Sequence, residues 1–400
     1  MQINKKYLFK ESIIATTIII LLTFLVTKIP FSLEYGKALH QGFADFDIYD
    51  LQYSGKNSNT RDPNIILIEI GNDRNEIGDQ IELINHYQPK VIGIDATFEM
   101  PKDSIIDSKF LQITSKQNNL VFGKRFSDTP QSRIIPNLFE AKSNESGLIN
   151  FIGNKYSVLR YFAPFIQFQE KEYPAFAVAI ARRYDEASFQ FLKARSNKKE
   201  IINYSGNLTS YTSFSKEDLI NAHITGQLTN ILKNKIVLLG FFVNSNTENN
   251  IYPILNDLYF SPLNERIGGK SYPDIYGVVI HANILSMVLN KTYATLASEN
   301  ISYFFAFLFT FLFNYYLIAQ YHKKTHPSHA KFLIIQFFSI VILLYIFLLI
   351  FNWFLYKVPL EPILVCLVLC LEMLGLYKSL ALWLHKKFEY KSVFTRKHII

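Results

Sequence analysis

The sequence predicts an α/β domain with a mostly parallel sheet and a β-rich middle, held outside the cytoplasm by one N-terminal and three C-terminal transmembrane helices. Three observations predict it. Short apolar runs alternate with helical patterns between residues 65 and 126. Four stretches approach or exceed the ~20 apolar residues that cross a bilayer. Lysines and arginines gather at alternating ends of those stretches.

A basic N-terminus, residues 1–11, leads into the first span, 12–29, "SIIATTIIILLTFLVTKI". It has no small-x-small cleavage site after it, so it reads as an uncleaved anchor. The other spans are 301–319, 332–355 and 363–384. The basic residues lie in 1–11, in the 320–331 loop and in the 385–400 tail, which the positive-inside rule places in the cytoplasm. Residues 30–299 then lie outside. The net charge of +8 is misleading, because residues 32–299 are nearly balanced, with 27 Lys and Arg against 29 Asp and Glu. The surplus sits in and beside the membrane, where it orients the chain and meets anionic lipid. No nucleic-acid partner is expected. The two cysteines, Cys366 and Cys370, lie in the fourth span, so the outer domain has no disulfide and no cysteine-based zinc site.

Within the outer domain, "IILIEIG" (65–71) is a buried strand and "IGDQIELINHYQP" (77–89) a helix stopped by Pro89. "KVIGIDATF" (90–98) is the next strand. "KDSIIDSKFLQITSK" (102–116) is a helix capped by Asp103 or Ser104, and "NLVFGKRF" (119–126) a third strand. This order implies parallel strands with right-handed crossovers. Residues 147–184 predict a hairpin turning near Gly153-Asn154, followed by a helix. "EIINYSG" (200–206) and "NKIVLLGFF" (234–242) are strands. Ser215 and Asp218 make a weak capping pattern, and "YGVVIHANILSMVLN" (276–290) is a helix.

In order, the motifs are "IILIEIGND", "VIGIDATF", a helix holding Asp107, "GLINFIGNKYSVLRYFAPF", "INYSG", "KIVLLG" and "YGVVIHANIL", then three membrane helices. Together, over about residues 35–381, they resemble the second type of CHASE domain, the cyclase/histidine-kinase-associated sensory extracellular domain. The resemblance implies a sensor in a bacterial inner membrane, commonly dimeric, that feeds a kinase or cyclase. Two features depart from the family. About 16 residues follow the fourth span, so no output domain is expected there. Glu69 also stands where the family often places an aspartate.

Asp73 and Asp95 follow the first two strands, where open α/β sheets bind ligands. With Glu69 and Asp107 they could form a carboxylate cluster for a cation or for acid–base work. An aspartate at a strand end equally caps the next helix or pins a loop. His281 shares a helical face with Leu285 and Val288, so it is either a core histidine or a ligand and pH-sensing group. Arg160 follows the hairpin pattern; the resemblance places an arginine there, and a structural salt bridge is its plainer role. Glu372, near the middle of the fourth span, shares a stripe with Gly375 and Ser379. Small residues mark close helix packing, so Glu372 is expected to face the bundle, with Thr310 as its hydrogen-bond partner.

No motif for dinucleotide binding, phosphate cradling, zinc hydrolysis or a serine nucleophile is present. The expectation is a non-enzymatic sensor or scaffold without a cofactor or bound metal, contacting lipid and a separate protein partner. Alternatives are a structural subunit of an envelope complex and a hydrolase using Asp73 and Asp95.

Overall fold

The structure is a computed structural model. It describes residues 5–28, 45, 47–56, 61–127, 133–140, 145–153, 157–243, 257–264, 272–320 and 328–395. The chain divides into two compact units, residues 41–294 and residues 1–40 with 295–400.

The first unit is a mixed α/β fold. Its strands and helices follow in the order β1 (Ile65–Glu69), α1 (Arg74–His86), β2 (Val91–Ile94), α2 (Ser104–Lys116), β3 (Leu120–Ser127), β4 (Arg133–Ile135) and β5 (Glu145–Leu148). The middle holds β6 (Tyr161–Phe162), β7 (Phe165–Phe168), β8 (Lys171–Pro174), α3 (Phe176–Tyr184), α4 (Glu186–Arg195) and β9 (Glu200–Ile201). The chain then makes β10 (Thr212–Phe214), α5 (Lys216–Ile224), α6 (Leu228–Leu232) and β11 (Ile236–Gly240). It finishes with β12 (Leu258–Tyr259), β13 (Ile275–Tyr276) and α7 (Gly277–Asn290).

The main sheet runs β10-β1-β11-β2-β3, all parallel, with β5 parallel and β4 antiparallel on the far side of β3. The runs "IILIE", "VIGI" and "IVLLG" are apolar throughout because both faces are covered. On one face Ile66, Ile68, Ile92, Ile94, Val237 and Leu239 join Ile77 and Ile81 of α1 and Phe110 of α2 in one buried cluster. Helices α3 and α7 cover the other face, and there two glycines are required. A Cβ on Gly93 would stand 2.5 Å from Ile180 of α3, and one on Gly240 2.5 Å from Val278 of α7.

Several expected limits shift. Helix α1 begins at Arg74 because Asp73 caps it, accepting from the backbone N–H groups of Asn75 (2.8 Å) and Glu76 (3.0 Å). Asp103 caps α2, and Ser215 with Asp218 closes a capping box on α5. The "EIINYSG" strand shrinks to β9. The hairpin is β7–β8, turning at Gln169 and Glu170, both with positive φ (47° and 63°). The turn expected near Gly153-Asn154 lies partly outside the described residues, Asn154 being one of those not described. Two successive left-handed residues match the twist of a hairpin, a conformation that leaves no glycine signature here.

Among the described residues the second unit contains four helices long and apolar enough to cross a membrane. They are Lys5–Lys28, Glu299–Gln320, His329–Phe354 and Glu361–Phe388. Each starts before the expected span, the first by two turns. The packed face of the fourth helix carries Ile363, Cys366, Cys370, Leu374, Tyr377 and Ala381. Gly375 has nothing within 4 Å of its Cβ direction, and Glu372 and Ser379 on the same stripe are exposed. The inward-facing expectation for Glu372 is therefore wrong. The buried stripe is built from aliphatic, cysteine and tyrosine side chains, which fill an interhelical space that glycine and serine leave open.

Candidate functional site

Asp95 is the first residue beyond β2. Its backbone N–H donates to Leu239 of β11 (2.8 Å), which carries the parallel pairing one residue further. That register puts Glu69, Gly240 and Asp95 on one rung at the carboxyl edge of the sheet. The rung's side chains point toward α7, where Val278 fills the place a side chain on Gly240 would occupy.

His281 lies one turn into α7. Its Nε2 is 3.8 Å from Oδ1 of Asp95, too far for a hydrogen bond. The side chains are 3% and 10% exposed, so both are withdrawn from water. The imidazole stacks on Phe151 (4.7 Å between centroids, 30°) and meets the edge of Phe176 (5.1 Å). Phe151 also packs on Tyr259 of β12 (5.2 Å). Asp257 precedes β12, and its carboxylate flanks Gly277, the first residue of α7. The site thus gathers the end of β2, the start of α7 and the two short strands that lead into that helix.

Burial pushes the Asp95 carboxyl up to about 8, with the nearby Asp257 charge adding to the shift. Burial pushes the His281 imidazole down to about 3. At neutral pH the pair therefore holds one proton, and it resides on the carboxyl. Nδ1 of His281 is buried without a hydrogen-bond partner. Among the described residues no donor reaches the Asp95 carboxyl either. A buried polar atom left unsatisfied, as Nδ1 is, calls for an explanation.

The other expected site residues go elsewhere. Asp73 is a helix cap. Asp107 pairs with Arg74, whose guanidinium also donates to the Met100 carbonyl and lies over the Phe139 ring (5.0 Å). The Arg74 hydrogen bond holds the Asp107 carboxyl below the usual range. Strand β11 stands between β1 and β2, so the strands that precede Asp73 and Asp95 are not neighbours and the four-carboxylate cluster is not assembled. The hydrolase alternative had relied on that pairing. Among the described residues no group of three or more His, Cys, Asp or Glu is placed to hold a metal ion. Arg160 clasps Asp50 with two nitrogens (2.9 and 2.6 Å), and both side chains are nearly buried.

Sequence reading missed Asp257, Phe151, Phe176 and Tyr259 at the site. None lies in a periodic pattern that marks it, because their place around Asp95 and His281 arises only through tertiary packing. It also missed Asn283, fully buried on α7, which accepts from the Ser205 N–H (2.8 Å) and donates to the Gly206 carbonyl (2.9 Å), fixing the "YSG" loop.

In the helical unit Thr310 is buried, as a packing residue must be, but against Cys366 and Cys370 rather than Glu372. The buried carboxylate there is Glu11. It accepts from the hydroxyls of Tyr377 (2.7 Å), Ser392 (3.1 Å) and Tyr390 (3.2 Å). An acid one position before the expected first span was a readable signal.

Fold and helices together define a membrane-type protein whose α/β domain lies, in chain order, between its first and second apolar helices. The CHASE2 domain family model matches residues 19–314, from inside the first apolar helix to inside the second, and the chain belongs to this family of sensory domains. Neither the curated proteins nor the solved structures include a match.

Proposed function

We propose that this protein is an integral membrane sensor. Its α/β unit lies outside the cytoplasm and binds a small ligand at the carboxyl edge of the sheet, beside Asp95 and His281. Ligand occupancy alters the packing of the apolar helices, and a separate partner protein reads that change. The observation that carries the reading is the nearly buried Asp95 carboxyl facing the buried His281 ring, whose Nδ1 has no hydrogen-bond partner, at the edge where open α/β sheets take ligands. Family membership supports the sensory role. A ligand biases such an equilibrium only by its differential affinity for the two states.

Two experiments test it. Cysteines at the exposed positions Lys198 and Glu361 should react with an impermeant thiol reagent in cells whose outer membrane is opened, and one at Ser328 should not. The reverse pattern contradicts the orientation. Ligand screening by thermal shift on the purified full chain tests the site. A stabilising ligand whose effect survives Asp95→Asn places binding elsewhere.

A further inference from the structure

Opposite its packed face, the fourth apolar helix carries a second ordered stripe. We propose that this stripe binds the same stripe of a second copy of the chain, helix against helix, with Glu372 hydrogen-bonding its counterpart and Gly375 setting the close approach. The proposal rests on the reading that the four apolar helices span a membrane.

The stripe is Val365, Val368, Glu372, Gly375, Ser379 and Leu382, at steps of 3, 4, 3, 4 and 3 residues. Those steps are the heptad spacing of a helix–helix seam. At ~100° per residue the stripe lies on the far side of the helix from the inward-packed Ile363, Cys370 and Ala381. Val365 is half-buried and the other five are exposed, Val368 to 58%. A Cβ on Gly375 would meet nothing within 4 Å. The Ser379 hydroxyl donates back to the Gly375 carbonyl (3.1 Å), which leaves Glu372 as the group in need of a partner.

Glu372 makes no hydrogen bond or ion pair among the described residues. About 16 Å of helix separates it from Glu361 at the helix start, well inside a hydrocarbon core of ~30 Å. A carboxyl facing lipid tails at that depth is costly. Glu11 shows the contrast, since three hydroxyls satisfy it. The outward residues of the third helix, Phe337, Phe338, Val341 and Ile342, are of the kind that lipid tails cover. An acid in line with glycine and serine is of the kind that another helix covers.

Symmetry selects the occupant. Two copies inserted alike stand parallel, so a two-fold axis along the membrane normal sets each stripe residue opposite itself at one depth. Such a contact needs groups that complement themselves. A carboxylic acid does so, because it donates through its hydroxyl and accepts through its carbonyl, whereas a lysine or arginine only donates. Gly375 and Ser379, four residues apart, let two backbones approach. A foreign helix would need its own donor at the depth of Glu372, which a second copy supplies by symmetry.

The test uses the full chain in lipid vesicles, with a dye on Lys198→Cys and photobleaching steps counted as the lipid-to-chain ratio rises. Two-step spots should give way to one-step spots on dilution. Glu372→Leu and Gly375→Leu should each weaken the association about tenfold or more. Gly375→Leu meets no atom of its own chain, so its effect reports an outside contact. Glu372→Gln, whose amide also donates and accepts, should stay within about threefold of wild type. In the wild-type background, Ser379→Cys should cross-link to its copy on oxidation, and the exposed Ile342→Cys on the third helix should not; this pair keeps the test decisive if Glu372→Leu inserts poorly. An inserted chain that stays single at every ratio overturns the proposal and leaves the membrane reading standing. So do spots of three or more steps, association that either leucine variant leaves at the wild-type level, and cross-linking at Ile342 that matches Ser379. A chain that does not enter the vesicles removes both readings.

Discussion

A carboxyl and an imidazole that are both neutral when buried shape how the α/β unit responds to pH. Asp95 is raised from its ordinary 3.8 to about 8, and His281 is lowered from 6.5 to about 3. The Asp95 contribution to stability is fully present below the unfolded carboxyl value and is lost as pH rises through 8. The His281 contribution is present above 6.5 and is lost as pH falls through 3. Between roughly pH 4 and 6.5 the two slopes oppose and cancel. Above 6.5, of the two, Asp95 alone titrates differently in the two states, so its contribution should fall by about 1.4 kcal/mol per pH unit, or roughly 2 kcal/mol by pH 8. Thermal unfolding of the full chain from pH 5 to 8.5 measures this. Relative to Asp95→Asn, wild-type stability should fall steadily as pH rises from 5 to 8 and level off above it. A wild-type curve parallel to the variant's contradicts the buried neutral carboxyl. Arg160 makes the opposite kind of residue-scale contact, because Asp50 meets it directly. Asp50→Asn removes the two-nitrogen carboxylate partner of a nearly buried guanidinium and should cost about 3–5 kcal/mol, read as a lowered melting temperature. An unchanged melting temperature removes that pair from the fold's support.

At the level of the element, glycine decides how closely helix and strand approach. Gly240 ends β11 under Val278 of α7, and an added methyl would stand 2.5 Å from the Val278 Cβ. Gly240→Ala should destabilise by about 1–3 kcal/mol through overpacking, and Val278→Ala should restore part of the loss in the double variant. Strict additivity of the two changes would show that the close approach is not the cause. The contact also explains what the sequence disclosed. The strands β1, β2, β3 and β11 are legible because covering both faces forces unbroken apolar runs. The capping box at Ser215 is legible because it is local. Strand order is not, since "IVLLG" carries no mark that inserts it between β1 and β2. That insertion dissolved the expected carboxylate cluster and left Asp95 to find His281, nearly 190 residues away in the chain. The left-handed turn at Gln169-Glu170 was hidden for a related reason, as neither residue type advertises positive φ.

Across the chain as a whole, the four apolar helices are tied by polar contacts between distant segments. Asn314 of the second helix donates to Thr16 of the first (3.0 Å), and Gln336 of the third donates to the Leu367 carbonyl of the fourth (2.6 Å). Glu11 makes the largest of these knots, joining the first helix to Tyr377 of the fourth and to Tyr390 and Ser392 beyond it. Sequence reading had given that role to Glu372, since an acid in the middle of an apolar span is expensive and small neighbours suggest close packing. Side-chain rotation around the helix decides otherwise. Tyr377 and Cys370 occupy the packed face, and Glu372 lies on the open one. The two acids should therefore behave oppositely. Glu11→Ala removes the acceptor of three hydroxyls and should destabilise the helical unit by roughly 2–4 kcal/mol, since hydrogen bonds to a charged group contribute about 1.5–3 kcal/mol each before relaxation. Glu11→Gln keeps one carbonyl acceptor and should fall between Ala and wild type. Glu372→Leu removes no hydrogen bond or ion pair among the described residues and should leave stability unchanged or raise it. Thermal unfolding in detergent, with each variant compared at equal insertion, gives the ranking. A Glu372→Leu loss as large as that of Glu11→Ala would return the inward-facing assignment to Glu372 and displace Glu11 from the centre of the helical unit.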